Sequence, residues 1–368
     1  MTTATATLER PVARQATEIV DCDIHPIMKS QKDILPYLSR RWQEHHETIG
    51  FRFRGPFHGS SAYPKATPAL SRGDSWPPEG GPPGSSLRFM QEQHLDALGI
   101  TTGMLQPLFP VGMDERNLDF AHAVCRAVND WQVDAFTSQD SRLKANIVVA
   151  CNDPEGAVRE IERCAGDGHH VQVSFATRAV EPLGSRRFWP IYEAAERHGL
   201  PLGLHSVGTN GHAVGAGGWP SFYFEEHQSV SVSLHAMVAS MVLEGVFEQF
   251  PKLKLIVIEG GFAWLASLAW RLDDLWPKFR AEVPHLKHPP SFYIRRNVYC
   301  TTQPMDEPPM QRDLKTVLDW IGWDRVLFAT DYPHWDSDDP RYVFKFPMSE
   351  EQRTMLFSGN AKNVFGLG

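Results

Sequence analysis

Two rhythms of apolar residues alternate along this chain. Short β-branched or aliphatic runs recur, and each gives way to a stretch whose apolar positions fall three or four residues apart. The runs are EIVDCDIH, TTGMLQPLF, LKANIVVAC, HHVQVSFA, LPLGLHSV, LKLIVIEGG, NVYCTTQP and RVLFATDYPH. The intervening segments predict helices over 117–139, 154–165 after an Asp153 cap, 187–198 closed by Gly199, 229–250, 262–276, 310–321 and 349–365. Strand–helix alternation repeated eight times within one chain predicts an α/β fold of the (β/α)8 TIM-barrel type. A doubly wound open sheet is the alternative, since periodicity counts elements without closing a barrel; no GxGxxG opens the first strand–helix turn to support its dinucleotide version.

One stretch breaks the alternation. Residues 43–88, including FRFRGPFHGSSAYPKATPALSRGDSWPPEGGPPGSS, form a long insertion after strand 1 dense in Gly, Pro and aromatics. Loops of that length in compact domains serve as lids, binding loops or subunit contacts, and Phe51, Phe53, Phe57, Tyr63 and Trp76 favour a packed role over a disordered excursion. Residues 1–17 read as a flexible tail and 18–368 as one domain.

Composition narrows the partners. A net charge of -8 offers no basic face for nucleic acid or an anionic membrane. The N-terminal stretch lacks the apolar core of a secretory signal, and no apolar run reaches bilayer-spanning length. Five scattered cysteines without C-x-x-C suit a reducing cytoplasm. The expected partner is a small-molecule substrate. The aromatic insertion and the apolar 262–276 helix suggest a homo-oligomer or a hetero-oligomer with a related subunit.

Sixteen histidines direct attention to metal. In a TIM barrel the C-terminal ends of the strands form the active-site mouth. Strand 1 ends in Asp23 and His25, strand 5 in His205, strand 6 in Glu259, and strand 8 in Asp331 followed by His334. Period two puts Asp21, Asp23 and His25 on one face of strand 1 and turns Cys22 and Ile24 outwards. Each residue has a plain structural reading: a buried Asp–His pair, a core histidine, Asp331 capping a turn, Glu259 capping the helix after Gly260 and Gly261. Together those readings require a separate partner for every ionisable group, whereas one or two cations satisfy all of them. His235, early in the helix after strand 5, is a further ligand candidate, and Arg178, Arg186 and Arg187 near strand 4 are candidates for a substrate carboxylate.

The order D-x-H at strand 1, His at strand 5 and Asp in FATDYPH at strand 8 resembles the amidohydrolase-related metal-dependent TIM barrels, the group that includes aminocarboxymuconate semialdehyde decarboxylase. The similarity extends through EGVFEQFPKLKLIVIEGGFAWL, WRLDDLW and SGNAKNVFG. It implies Asp23, His25, His205 and Asp331 as metal ligands. Three departures qualify it. Asp23 stands where many members carry a histidine, shifting preference from zinc towards manganese or iron. Glu259 stands where the decarboxylases usually have a histidine, and strand 4 has no lysine to bridge two ions.

Two enzymes fit. One is a metal-dependent hydrolase or decarboxylase of a small organic acid. The other is a dinuclear non-haem Fe or Fe/Mn monooxygenase in which His235 and Glu259 help hold a second ion. Glu259 and His334 are the candidate catalytic residues in either. A non-enzymatic subunit that keeps the barrel is a third reading.

Overall fold

Eight strands pair in sequence order, every pair parallel: β1 (Ile19–Ile24), β2 (Ile100–Leu105), β3 (Leu143–Val148), β4 (His170–Arg178), β5 (Leu202–Gly208), β6 (Leu255–Val257), β7 (Val298–Thr301) and β8 (Val326–Leu327). The structure is a computed structural model describing residues 18–51, 70–113, 115–178, 181–208, 218 and 220–367, without the side chains of 176–178, 206–208 and 226. The expected tail thus lies outside the described residues, as do Phe53, Phe57 and Tyr63.

The sheet closes through the segment beyond β8. The Cys22 N–H donates to the Phe328 carbonyl at 3.0 Å, the Asp331 N–H to Asp23 at 3.0 Å, and the His25 N–H to Tyr332 at 2.8 Å. This seam makes a TIM barrel and excludes the open sheet. Strands and helices meet over an apolar layer in which Leu202, Leu204, Leu255 and Val257 are buried with Ala157, Ile161 and Cys164 of the Pro154–Cys164 helix. Each large aliphatic side chain buried in it contributes about 1.5–3 kcal/mol.

Helix ends follow their caps. Asn117 accepts from the Phe120 N–H to start Leu118–Gln132, which continues through a π turn at Val133–Thr137. The helix expected at 229–250 begins earlier, at Tyr223, and ends at Leu243; Gly245, at φ 83°, separates it from the Val246–Gln249 turn. Arg40–Ile49 has no counterpart among the expected helices, because it buries one apolar residue, Trp42, and shows no apolar stripe.

Strand 1 departs from strict alternation. Its pairing with β2 shifts register between Asp21 and Ile24, the signature of a bulge. Asp23 and His25 share the interior as expected, but Cys22 joins Val20, Met104, Ile256, Tyr299 and Leu327 in one buried cluster. Residues from β1 and β6 meet only across the barrel interior, so Cys22 faces inwards. Asp21 turns the other way, towards His94 before β2.

Within the insertion, residues 70–86 pack against the barrel mouth. Ser71 bridges His334, the Arg72 N–H donates to the Pro333 carbonyl at 3.2 Å, and the Trp335 N–H donates to Leu70 at 2.9 Å. Gly84 lies so close to strand 1 that a Cβ there would sit 2.2 Å from the His25 carbonyl oxygen, and its φ of 82° also favours glycine.

Candidate metal centre

Each strand end contributes its side chain just where the regular ladder stops. Asp23 sits at the bulge one residue before β1 ends, His25 follows the strand, His205 lies in β5, Glu259 stands two residues beyond β6, and Asp331 four beyond β8. Glu259 and Asp331 adopt left-handed backbone, at φ 52° and 64°. Non-glycine residues are held there when their surroundings over-determine them, typically at functional sites.

The donors interlock. His25 Nε2 lies 2.6 Å from Asp331 Oδ1 and 3.2 Å from Asp23 Oδ1; His205 Nε2 lies 3.6 Å from Asp23 Oδ1 and 3.3 Å from Glu259 Oε2. His334 Nδ1 donates to Asp331 Oδ1 at 2.7 Å, and its ring stacks on His25 with centroids 4.3 Å apart. Two sets of donors lie within 4.8 Å of one another: Asp23, His25, His205 and Glu259, and His25, Glu259, Asp331 and His334. His25 is oriented from behind, since Nδ1 is 2.8 Å from the Gln106 carbonyl. A carbonyl only accepts, so Nδ1 carries the proton and Nε2 faces the cluster.

The electrostatics call for a cation. Burial pulls the His25 imidazole down, but the Asp23, Asp331 and Glu259 carboxylates outweigh it and push it up to about 10. Burial acts to raise the Asp331 carboxyl, and His334 and His25 override it to hold it well below the usual carboxylate range. His205 is lowered by burial. Both oxygens of Asp23 and Oδ2 of Asp331 are buried with no hydrogen-bond partner among the described residues. Orphaned buried carboxylate oxygens are costly, and one divalent ion among these donors satisfies them. Carboxylates mixed with imidazoles suit manganese, iron or zinc.

The structural alternatives for two residues fall away. The helix after β6 is capped by Asp306, whose Oδ2 accepts from the N–H groups of Phe262 and Ala263 at 3.2 and 3.0 Å, so Glu259 is not its cap. The Asp331 carboxylate is engaged by His25 and His334, so it is more than a turn cap. His235 is not brought to the cluster: it is half-buried in the Tyr223–Leu243 helix with its ring 5.6 Å from Trp264. Sequence reasoning missed His227, which reaches the mouth instead. Its Nε2 lies 3.2 Å from Asp336 Oδ2 and 4.0 Å from Glu259 Oε1, and Gln303 also donates to Asp336. A helix that follows a barrel strand starts at the mouth, so its first turns carry the side chains that reach the site; that rule points to His227. Arg187 is engaged by Glu181 and the Asn152 carbonyl, Arg186 stacks over Trp189, and the Arg178 side chain lies outside the described residues.

Comparison with known proteins places the chain in a family. The amidohydrolase family model matches residues 20–367. The chain is 28% identical over 291 residues to a gamma-resorcylate decarboxylase from Polaromonas sp., covering 74% of this chain and 85% of that protein. Among solved structures, an amidohydrolase from Mycobacterium avium subsp. paratuberculosis superposes with a TM-score of 0.72 at 22% identity, covering 96% of this chain and 99% of that one. A manganese-bound 5-carboxyvanillate decarboxylase from Novosphingobium aromaticivorans superposes with a TM-score of 0.68 at 20% identity, covering 96% and 97%. At these identities the structural likeness shows the shared barrel. Among the described residues, no helix is long and apolar enough to cross a membrane.

Proposed function

The chain belongs to the amidohydrolase family, and on that premise we propose that it is a metal-dependent decarboxylase of a small aromatic acid. The observation that carries the reading is the pair of overlapping donor groups, Asp23, His25, His205 and Glu259 with His25, Glu259, Asp331 and His334, in which three carboxylate oxygens are buried without a hydrogen-bond partner among the described residues. Its similarity to a gamma-resorcylate decarboxylase supplies the reaction class and the phenolic carboxylate.

Asp23, His25, His205 and Asp331, with Glu259 among the neighbouring donors, would hold one divalent ion. That ion, when bound, supplies a Lewis acid for a substrate oxygen. Manganese fits the carboxylate-rich set, with iron or zinc as competitors. A single ion is favoured because both donor sets require His25 Nε2, and its Nδ1 is committed to Gln106. Decarboxylation breaks a C–C bond, releases CO2 and returns a proton to the ring carbon. His334 spends Nδ1 on Asp331, which leaves Nε2 as the atom able to exchange that proton. Glu259, anchored near His205, is the second candidate for moving it. The dinuclear monooxygenase expected as an alternative gains no support from the relatives named above.

The test is metal analysis of protein purified without chelator, followed by CO2 release from a panel of hydroxybenzoates including gamma-resorcylate and 5-carboxyvanillate. One metal per chain with CO2 from at least one phenolic acid is expected. Metal-loaded protein that releases none from the whole panel would falsify the decarboxylase reading, and oxygen uptake on adding substrate would restore the oxygenase.

A further inference from the structure

Asp21 is fully buried and outside both donor sets, yet it gathers four hydrogen bonds. Its Oδ1 accepts from the N–H of Asp23 at 3.2 Å and of Thr330 at 2.9 Å. Its Oδ2 accepts from the Thr330 hydroxyl at 2.6 Å and lies 2.8 Å from His94 Nε2. Thr330 Oγ1 in turn accepts from the Tyr332 N–H at 3.2 Å, and the His94 ring stacks on Tyr332 with centroids 4.4 Å apart. Asp21 therefore grips Thr330 on one side of Asp331 directly and Tyr332 on the other through Thr330 and His94.

His94 reaches this place through a local irregularity. The Leu87–Met90 helix passes into a π turn at Gln91–Leu95 before ending in Asp96–Leu98. That turn carries His94 to Asp21 and also Gln93, whose Oε1 accepts from the Tyr332 hydroxyl at 3.0 Å. π turns inside helices recur at functional sites because the extra residue redirects side chains.

We propose that Asp21 is a positioning residue for the metal centre: seated on His94, it fixes the backbone of Asp23 and holds Thr330 and Tyr332 so that Asp331 keeps its left-handed conformation and aims its carboxylate at the ion. A residue at φ 64° is retained only when its surroundings over-determine it, and the Asp21 network supplies that constraint without touching the ion. The proposal rests on the metal centre of the functional reading and is independent of the reaction catalysed there.

The experiment strips the full-length protein with chelator, titrates it with Mn2+ alone, and records the thermal midpoint of the stripped form. Asp21→Asn is expected to weaken Mn2+ affinity by about 10–100-fold. Asp167→Asn, before β4, where its carboxylate accepts from the His169 and His170 N–H groups at 2.7 and 2.9 Å, is the control for lost stability, and should lower the thermal midpoint while leaving affinity within about twofold. An Asp21→Asn protein whose affinity falls no further than that control overturns the proposal. If Asp21→Asn does not fold, Thr330→Val and His94→Gln take its place, and unchanged affinity in both overturns it equally. Wild-type protein that takes up no Mn2+, Fe2+ or Zn2+ sinks the metal centre and this proposal together, whereas wild-type binding with unaltered Asp21→Asn affinity sinks this proposal alone.

Discussion

The two ends of the barrel use the same residue types to opposite effect. At the base, where β3 begins, Asp140 accepts hydrogen bonds from Arg142 Nη2 at 2.7 Å and Gln91 at 2.9 Å, and Arg142 also donates to Asp96 at 2.7 Å. Every one of these charges has a complementary partner. At the mouth, Asp23, Glu259 and Asp331 crowd together with histidines, and three carboxylate oxygens are buried without a hydrogen-bond partner among the described residues. The seams differ in the same sense. β5 and β6 pair through three consecutive positions without a shift, whereas β1 shifts register against β2 and meets the segment after β8 at the left-handed Asp331. A charge-balanced base stabilises the fold; an acidic, irregular mouth offers its carboxylates to a cation. In a TIM barrel that division matches the general assignment of stability to the N-terminal face and chemistry to the C-terminal face.

The sharpest way to break the comparison is Asp331→Ala. It should abolish stoichiometric metal binding and reduce CO2 release on the order of 100-fold or more. Because Asp331 is paired with His25 and His334, its removal leaves those buried imidazoles without their carboxylate, and the thermal midpoint of the metal-free protein should fall as well. An Asp331→Ala protein that kept its metal would show that the mouth is structural after all. Asp140→Asn should touch stability alone, costing about 1–3 kcal/mol through its charged hydrogen bonds while metal content stays at wild-type level.

Its pH dependence sharpens the base further. Hydrogen bonding to Arg142, opposed by burial, lowers the Asp140 carboxyl from 3.8 to about 2. A lowered carboxylate stabilises the fold above its unfolded value and loses that contribution as pH falls through the folded one. The gap in urea midpoint between wild type and Asp140→Asn should therefore be full near pH 5 and shrink between about pH 4 and pH 2. A gap that stayed constant down to pH 2 would mean that the pair contributes nothing through its charge.

The base and the mouth were not equally legible in the sequence. Regular strands announce themselves through apolar runs, so all eight were found, and the candidate residues at four strand ends followed from the rule that the mouth lies there. The departures lie where the backbone stops repeating. Alternation in VDCDIHP predicts Asp21 beside Asp23 and Cys22 on the outside, and the bulge reverses both. A bulge depends on what β2 and the Thr330 region offer across the seam, and that is long-range information absent from a seven-residue window. The pairing of Asp140 with Arg142 was equally invisible as chemistry, since charged residues two apart in a loop carry no periodic signal.

The smallest predicted effect separates two histidines on one helix. His235 and His227 are eight residues apart, which on an α-helix is about 12 Å along the axis and roughly 80° around it. The expected helix started at residue 229, which put His235 near its mouth end and left His227 outside it; the observed start at Tyr223 exchanges their positions. His227 touches the site through Asp336 and Glu259, while His235 meets Trp264. His227→Ala should weaken metal affinity or turnover by about tenfold, the usual cost of removing a group that supports a ligand. His235→Ala should leave both unchanged and cost less than about 1 kcal/mol of stability, since only a partly buried ring is lost. If His235→Ala lost metal and His227→Ala kept it, the Tyr223–Leu243 helix would have to turn its other face to the mouth, and the present assignment of that side of the site would be wrong.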